Sequence, residues 1–281
     1  MIPSLLTAQL RQAVIDYVQT TFSTTTPRFQ GMLERLLEKD PGAFRGPFLS
    51  LGLPYLQAEE VSKAFFEPLG LPFRPYLHQV KAFERLTGPE LRSTLIATGT
   101  GSGKTECYLY PLVHSCLHRL GERGIKAIVI YPMNALAHDQ AKRFARIIYG
   151  DPLLRDQLSV GLLIGQGKPG EGHGRMTAEQ VITERAALHQ RPPDILLTNY
   201  KMLDYLLVRQ RDQDLWKDNG PETLRYLVVD ELHTFDGAQA TDLACLVRRL
   251  KHRLKVPERH LCCVGTSATL GGNESRTELA S

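Results

Sequence analysis

No stretch of the sequence approaches the roughly 18 consecutive apolar residues that a membrane-spanning helix needs. The start of the chain, Met1-Ile2-Pro3-Ser4-Leu5-Leu6, has no basic segment leading into a long apolar one, so it does not read as a secretory leader. The expected location is therefore cytoplasmic, with no membrane partner. Cysteine is sparse: Cys107, Cys116, Cys245, Cys262 and Cys263 include no C-x-x-C pair, which argues against structural zinc. Cys262 and Cys263 are adjacent in an apparent strand, where their side chains would point to opposite faces, and the cysteines read as buried free thiols in a reducing compartment. The one tryptophan, Trp216, stands in a charged stretch and suggests no chemistry. Charge of one sign is also modest. A net charge of +4 permits a nucleic-acid partner but does not identify one.

What remains is an ordinary globular composition, 42% hydrophobic and 23% charged over 281 residues, enough for one large or two small domains. Residues 1–70 read as a small helical accessory segment. Leu10, Val14, Ile15 and Val18 recur at helical spacing, as do Met32, Leu33, Leu36 and Leu37, with a Thr-rich break over Thr21–Pro27. Pro41–Pro54 is loop-like and Glu59–Phe66 suits a further helix. From about residue 71 to 281 the pattern changes. Apolar β-prone runs at Leu95–Ala97, Ala127–Tyr131, Val160–Ile164, Asp194–Leu197, Leu224–Val229 and Leu261–Gly265 alternate with helical stretches. Those are roughly 77–87, 104–119, 134–148, 177–189, 199–209 and 237–254. Such alternation predicts an α/β fold with a parallel sheet flanked by helices on both faces. Continuously apolar runs such as Ala127-Ile128-Val129-Ile130 fit strands covered on both sides. Pro111 is expected to kink or shorten its helix. Gln166–Gly174 reads as a glycine-rich surface loop.

The chemistry concentrates in Ala97-Thr98-Gly99-Thr100-Gly101-Ser102-Gly103-Lys104-Thr105, between an apolar strand and a helix. Thr100, Gly101, Ser102 and Gly103 can turn backbone N–H groups toward phosphate oxygens, and the helix N-terminus favours the negative charge. Lys104 can place its ammonium on the β- and γ-phosphates and Thr105 its hydroxyl on Mg²⁺. The pattern departs from the strict form at one place, where Thr98 stands for the first glycine. A second anchor, Val228-Val229-Asp230-Glu231-Leu232-His233, ends an apolar strand in two carboxylates and a histidine. Asp230 can hold Mg²⁺, Glu231 can polarise a water for attack on the γ-phosphate, and His233 is the next candidate for the base. A third, Gly265-Thr266-Ser267-Ala268-Thr269, offers hydroxyls to those carboxylates, with Ser267 and Thr269 the candidates for coupling. The basic residues Arg248, Arg249, Lys251, His252, Arg253 and Lys255 share a helix whose other face is apolar. That suits a solvated face.

Together these segments resemble the superfamily 2 helicases, the group of DEAD-box and DEAH-box proteins, over about residues 74–273. The motif order is that of their first RecA-like lobe, a fold of the P-loop NTPase class. The resemblance implies ATP and Mg²⁺ as cofactors and ATP hydrolysis as the reaction. It implies that Gln79, in Arg74-Pro75-Tyr76-Leu77-His78-Gln79, reads the adenine edge. Tyr131-Pro132-Met133-Asn134-Ala135-Leu136-Ala137 resembles the first nucleic-acid motif, carried by Pro132 and Asn134. Thr198-Asn199-Tyr200-Lys201-Met202-Leu203 resembles the later one, carried by Thr198 and Asn199. Asp230–His233 resemble the DExH box, with Leu232 at its variable place. A finer resemblance is to large prokaryotic YprA-like helicases of repair and phage-defence systems.

The implied partner is a single strand, DNA rather than RNA, held by its sugar-phosphate backbone in a salt-sensitive, sequence-independent way. Read alone, Asn134 and Asn199 are equally good helix caps. The chain ends shortly after Thr269, so the second RecA-like lobe of such motors is expected to be absent and supplied by a longer chain or a partner. A non-motor module that binds ATP and nucleic acid as a switch or scaffold is the competing expectation.

Overall fold

In the computed structural model the described residues are 3–23, 26–38, 44, 54–59, 67, 69–165 and 172–268. They fall into two units, Met1–Pro54 and Tyr55–Ser281. This division lies ahead of the expected boundary at residue 70, because Leu56 and Ala58 exchange backbone hydrogen bonds with Leu77 and Pro75. The first unit holds helices α1 (Pro3–Thr21) and α2 (Met32–Glu38), separated by a 3₁₀ turn at Pro27–Phe29. Ile15 is buried, while Leu10 and Val14 on the same helix are exposed. The expected helix over Glu59–Phe66 and the loop over Pro41–Pro54 lie almost wholly outside the described residues.

The second unit begins its regular structure with α3 (Leu77–Thr87), followed by β1 (Thr94–Ala97) and α4 (Lys104–Leu117). Then come β2 (Ala127–Ile130), α5 (Asn134–Gly150), β3 (Val160–Leu163), α6 (Arg185–Gln190) and β4 (Ile195–Thr198). The chain continues through α7 (Tyr200–Val208), β5 (Tyr226–Val229), α8 (Gly237–Leu254) and β6 (Cys262–Ser267). All five strand pairings are parallel, in the order β1-β6-β5-β2-β4-β3. This is the parallel sheet that the alternation of apolar runs and helices predicts, and its RecA-like form is the one that the resemblance to superfamily 2 helicases implies.

Side-chain alternation divides the core into two layers. Ala127, Val129, Ile195, Leu197, Tyr226 and Val228 face one layer, filled by Phe83, Leu109, Val113 and Phe144 of α3, α4 and α5. Ile128, Ile130, Leu196, Leu227 and Val229 face the other, filled by Leu203, Leu206, Leu246 and Leu250 of α7 and α8. Both faces being covered explains why the central strands are apolar at every position. Trp216 belongs to the second layer, with its indole N–H donating to the Leu206 carbonyl at 2.8 Å.

Two expectations are corrected. Helix α4 runs through Pro111 without interruption, since residues 107–113 are all buried and their packing outweighs the roughly 3 kcal/mol that an internal proline costs. The helix expected over 177–189 is only Arg185–Gln190. Upstream of it, Ile182 lies along the edge strand β3. Its N–H donates to Val160, and its carbonyl accepts from Leu162, at 3.0 and 2.9 Å. The backbone groups of an edge strand need partners, and that demand overrides the helical periodicity of this segment. No helix among the described residues is long and apolar enough to cross a membrane.

Candidate functional site

Parallel strands bring all their carboxyl ends to one edge of the sheet, and every sequence-predicted site residue but Gln79 among the described residues follows such an end or stands at it. Strand β1 leads into Thr98–Gly103, and α4 starts at Lys104. Gly101 and Gly103 both have φ of +75°, a conformation that L side chains disfavour. A Cβ on Gly103 would also collide with the Gln79 amide. Thr98 fills the departure from the strict pattern usefully, its Oγ1 lying 2.6 Å from Ser102 Oγ inside the loop. Thr105 stands beside the buried Tyr108 hydroxyl. Lys104 Nζ donates to the Thr98 and Gly99 carbonyls, each at 3.1 Å, so its ammonium is curled over the loop.

The loop is braced from α3. Gln79 is buried, its Oε1 accepting from Tyr76 N at 2.8 Å and its Nε2 donating to Gly103 O at 3.0 Å. It therefore ties the helix start to the phosphate loop, and each end of the amide retains one hydrogen-bonding capacity. Two residues to which the sequence assigns no role join it. His78 Nε2 lies 2.9 Å from Ser102 O, and Tyr55 Oη donates to Thr100 O at 3.4 Å. Burial and the nearby Lys104 lower the His78 pKa against the contrary pull of the Ser102 carbonyl, with burial the largest effect.

Beyond β5, Asp230 is buried and accepts a hydrogen bond from Thr266 Oγ1. The same hydroxyl accepts from Glu231 N at 3.0 Å. Thr266 thus holds both carboxylate residues; the sequence offers its hydroxyl to them along with those of Ser267 and Thr269, and names only the latter two for coupling. Strand register carries the signal that finds it: Val229 pairs with Gly265, which puts Thr266 next to Asp230. Ser267 Oγ instead lies 3.3 Å from His233 Nδ1. Thr269 lies outside the described residues. Burial pushes the Asp230 carboxyl upward, the Thr266 hydrogen bond pulls it down, and the neighbouring Glu231 charge raises it. Glu231 has φ +49° and ψ +50°, the left-handed region, which turns its side chain away from that of Asp230. Its Oε2 is buried with no hydrogen bond, 3.3 Å from His233 Nδ1 but not aligned to accept from it. A buried carboxylate raised by its surroundings, as Asp230 is, suits a divalent cation, which would favour its charged form.

The strand order separates a second region. The ends of β2, β4 and β3 open on a cleft of about 1600 Å³, away from the phosphate loop, lined by Pro132, Met133, Lys142, Asn199, Tyr200 and Lys201 among others. Asn199 and Asn134 meet here. Asn199 Nδ2 donates to Asn134 Oδ1 at 2.8 Å, and Asn199 Oδ1 accepts from Met202 N at 2.7 Å as the cap of α7. The capping alternative therefore holds for Asn199, whereas Asn134 makes no cap. Thr198 differs from Asn199 in that its side chain is fully buried and donates to Leu163 O at 2.6 Å, so its hydroxyl faces the sheet rather than the cleft.

Residues 76–277 match the DEAD/DEAH box helicase family. The chain belongs to that family. Among its relatives, the Druantia protein DruE of Escherichia coli (strain UMEA 4076-1) is 28% identical, with 86% of this chain and 18% of the relative aligned. The uncharacterized ATP-dependent helicase YprA of Bacillus subtilis (strain 168) is 29% identical over 69% of this chain and 23% of its own. A crystal structure of the DUF1998 helicase MrfA bound to DNA and AMPPNP superposes with a TM-score of 0.54. It is 26% identical and covers 72% of this chain and 25% of that one. The chain thus spans a quarter or less of the length of these relatives. Its phosphate loop, acidic strand end and hydroxyl-bearing strand end stand together on β1, β5 and β6, adjacent in the sheet.

Proposed function

We propose that this chain is the ATP-binding lobe of a superfamily 2 helicase or translocase that binds Mg·ATP and the sugar-phosphate backbone of a single strand, DNA rather than RNA. One observation carries the reading. The sheet order sets β1, β6 and β5 side by side and β2, β4 and β3 side by side, so the phosphate chemistry and the cleft are adjacent but distinct. Backbone N–H groups of Thr100–Gly103 and the start of α4 receive the phosphates. Lys104 exchanges the Thr98 and Gly99 carbonyls for phosphate oxygens, a better partner for an ammonium than neutral carbonyls. Thr105 and Asp230 would hold Mg²⁺, which supplies charge neutralisation at the β- and γ-phosphates. Glu231, turned aside by its left-handed backbone, accepts the proton of the attacking water, and His233 beside it is positioned by Ser267. At the other region, amides near Pro132 and Asn134 receive backbone phosphates, with Lys142 and Lys201 adding charge. The related helicase MrfA has been crystallised with DNA and AMPPNP bound, which supports the same pair of ligands here.

A transition state that spreads charge over the γ-phosphoryl group needs cations from both sides, and this lobe provides one. Efficient turnover and duplex unwinding are therefore expected only with a second RecA-like lobe, in a longer chain or a partner. Calorimetry tests the reading. Lys104→Ala should weaken Mg·ATP binding at least about tenfold, near 1.4 kcal/mol, while leaving single-strand affinity intact. Unchanged nucleotide affinity in that variant would sink the assignment. Strand binding that does not weaken with salt would remove the backbone reading.

A further inference from the structure

At the end of α7 the guanidinium of Arg209 lies over the Tyr205 ring, 3.9 Å from its centroid. Both residues line the cleft at the β2–β4–β3 end, and Tyr205 is 49% exposed there. The helix fixes the pair, because Arg209 N donates to Tyr205 O at 2.9 Å as the helix ends. Neighbouring arginines are committed elsewhere: Arg185 to the buried Asp212, and Arg249 to Asp204. No carboxylate among the described residues forms an ion pair with Arg209. An arginine stacked on a tyrosine and facing an open basic cleft is the combination that single-strand binders use to hold bases, since every base has a π-face and guanidinium planes stack.

We infer that Tyr205 and Arg209 form a stacking platform for a base of the single strand whose backbone occupies the cleft. The inference rests on the nucleic-acid reading above and adds a contact to a base where that reading has only contacts to phosphates. Such stacking tolerates any base, so it raises affinity and fixes the path of the strand without reading sequence. Arg209 contributes to a nearby phosphate as well, whereas Tyr205 contributes only through its ring. The two side chains can therefore be told apart.

The test uses the 281-residue chain and two labelled oligonucleotides of equal length, one oligodeoxythymidine and one abasic, followed by fluorescence anisotropy at fixed salt. Wild type should bind the base-bearing strand about tenfold more tightly than the abasic one. Tyr205→Ala should abolish that preference and leave abasic binding unchanged, and Tyr205→Trp should retain it. Arg209→Lys, which keeps the charge and loses the plane, should reduce the preference with little change in salt dependence. Equal binding of both strands by wild type, or a preference that survives Tyr205→Ala, would overturn the platform while sparing the backbone reading. Failure to bind either strand would overturn both. Competition by free thymidine monophosphate at strand concentrations would assign a mononucleotide site instead and overturn the strand assignment.

Discussion

Replacing Thr266 by valine keeps the shape of the side chain and removes one hydroxyl. That hydroxyl donates to the buried Asp230 carboxylate and accepts from Glu231 N at 3.0 Å. A hydrogen bond to a charged group contributes roughly 1.5–3 kcal/mol, and a buried N–H left without an acceptor costs roughly 1–3 kcal/mol. The two losses share an atom and do not simply add, so about 3 kcal/mol of stability should be lost. For a domain of this size that is a fall in Tm of roughly 6–12 °C. Nucleotide affinity should fall too, because the left-handed backbone of Glu231 stores strain on the order of 1–3 kcal/mol and this contact helps to hold it. Thr266→Ser keeps the hydroxyl and loses a methyl group, at about 1 kcal/mol. Thermal and urea unfolding of the three proteins, followed by calorimetry with Mg·ATP, make the comparison. A valine variant within about 0.5 kcal/mol of wild type, or a serine variant as damaged as the valine one, would refute the idea that this hydroxyl organises the acidic strand end.

Glu231→Gln should leave Mg·ATP affinity near wild type and remove the hydrolysis shown when a second lobe is supplied, since the amide cannot accept the water's proton. Undiminished turnover there would shift the role to His233. Thr198→Val should cost about 1 kcal/mol of stability and leave single-strand affinity unchanged, as its hydroxyl is spent on Leu163 O. Lower strand affinity without lost stability would return Thr198 to the interface. The pKa values of His78, His114, His189 and His260 are all lowered from 6.5, chiefly by burial. In the unfolded chain these rings bind protons first, so stability is complete above about pH 6.5 and falls as pH drops through the lowered folded values. A Tm that stays level or rises between about pH 7 and about pH 5.5 would contradict this.

Much of the architecture is local information. Strands that are apolar at every position, helices that repeat at 3.6, and glycines ahead of a Lys-Thr pair each obey a short-range physical rule. The alternation of β and α, the start of α4 at Lys104, and the place of Asp230 and Glu231 at the end of β5 were therefore legible along the chain itself. Where short-range rules misled, a longer-range demand had prevailed. Burial on all sides carried α4 through Pro111, and an edge strand needing partners drew Ile182 out of a helix. Only folding in three dimensions settled which strands are neighbours. With it came the choice of Thr266 over Ser267 as the carboxylate's partner, the turning of Thr198 inward, and the bracing of the loop by His78 and Tyr55. The contacts of Thr266, Thr198 and Tyr55 join segments from 35 to 45 residues apart. Side-chain direction in a parallel sheet is set by such pairing, and no local pattern in the chain encodes it.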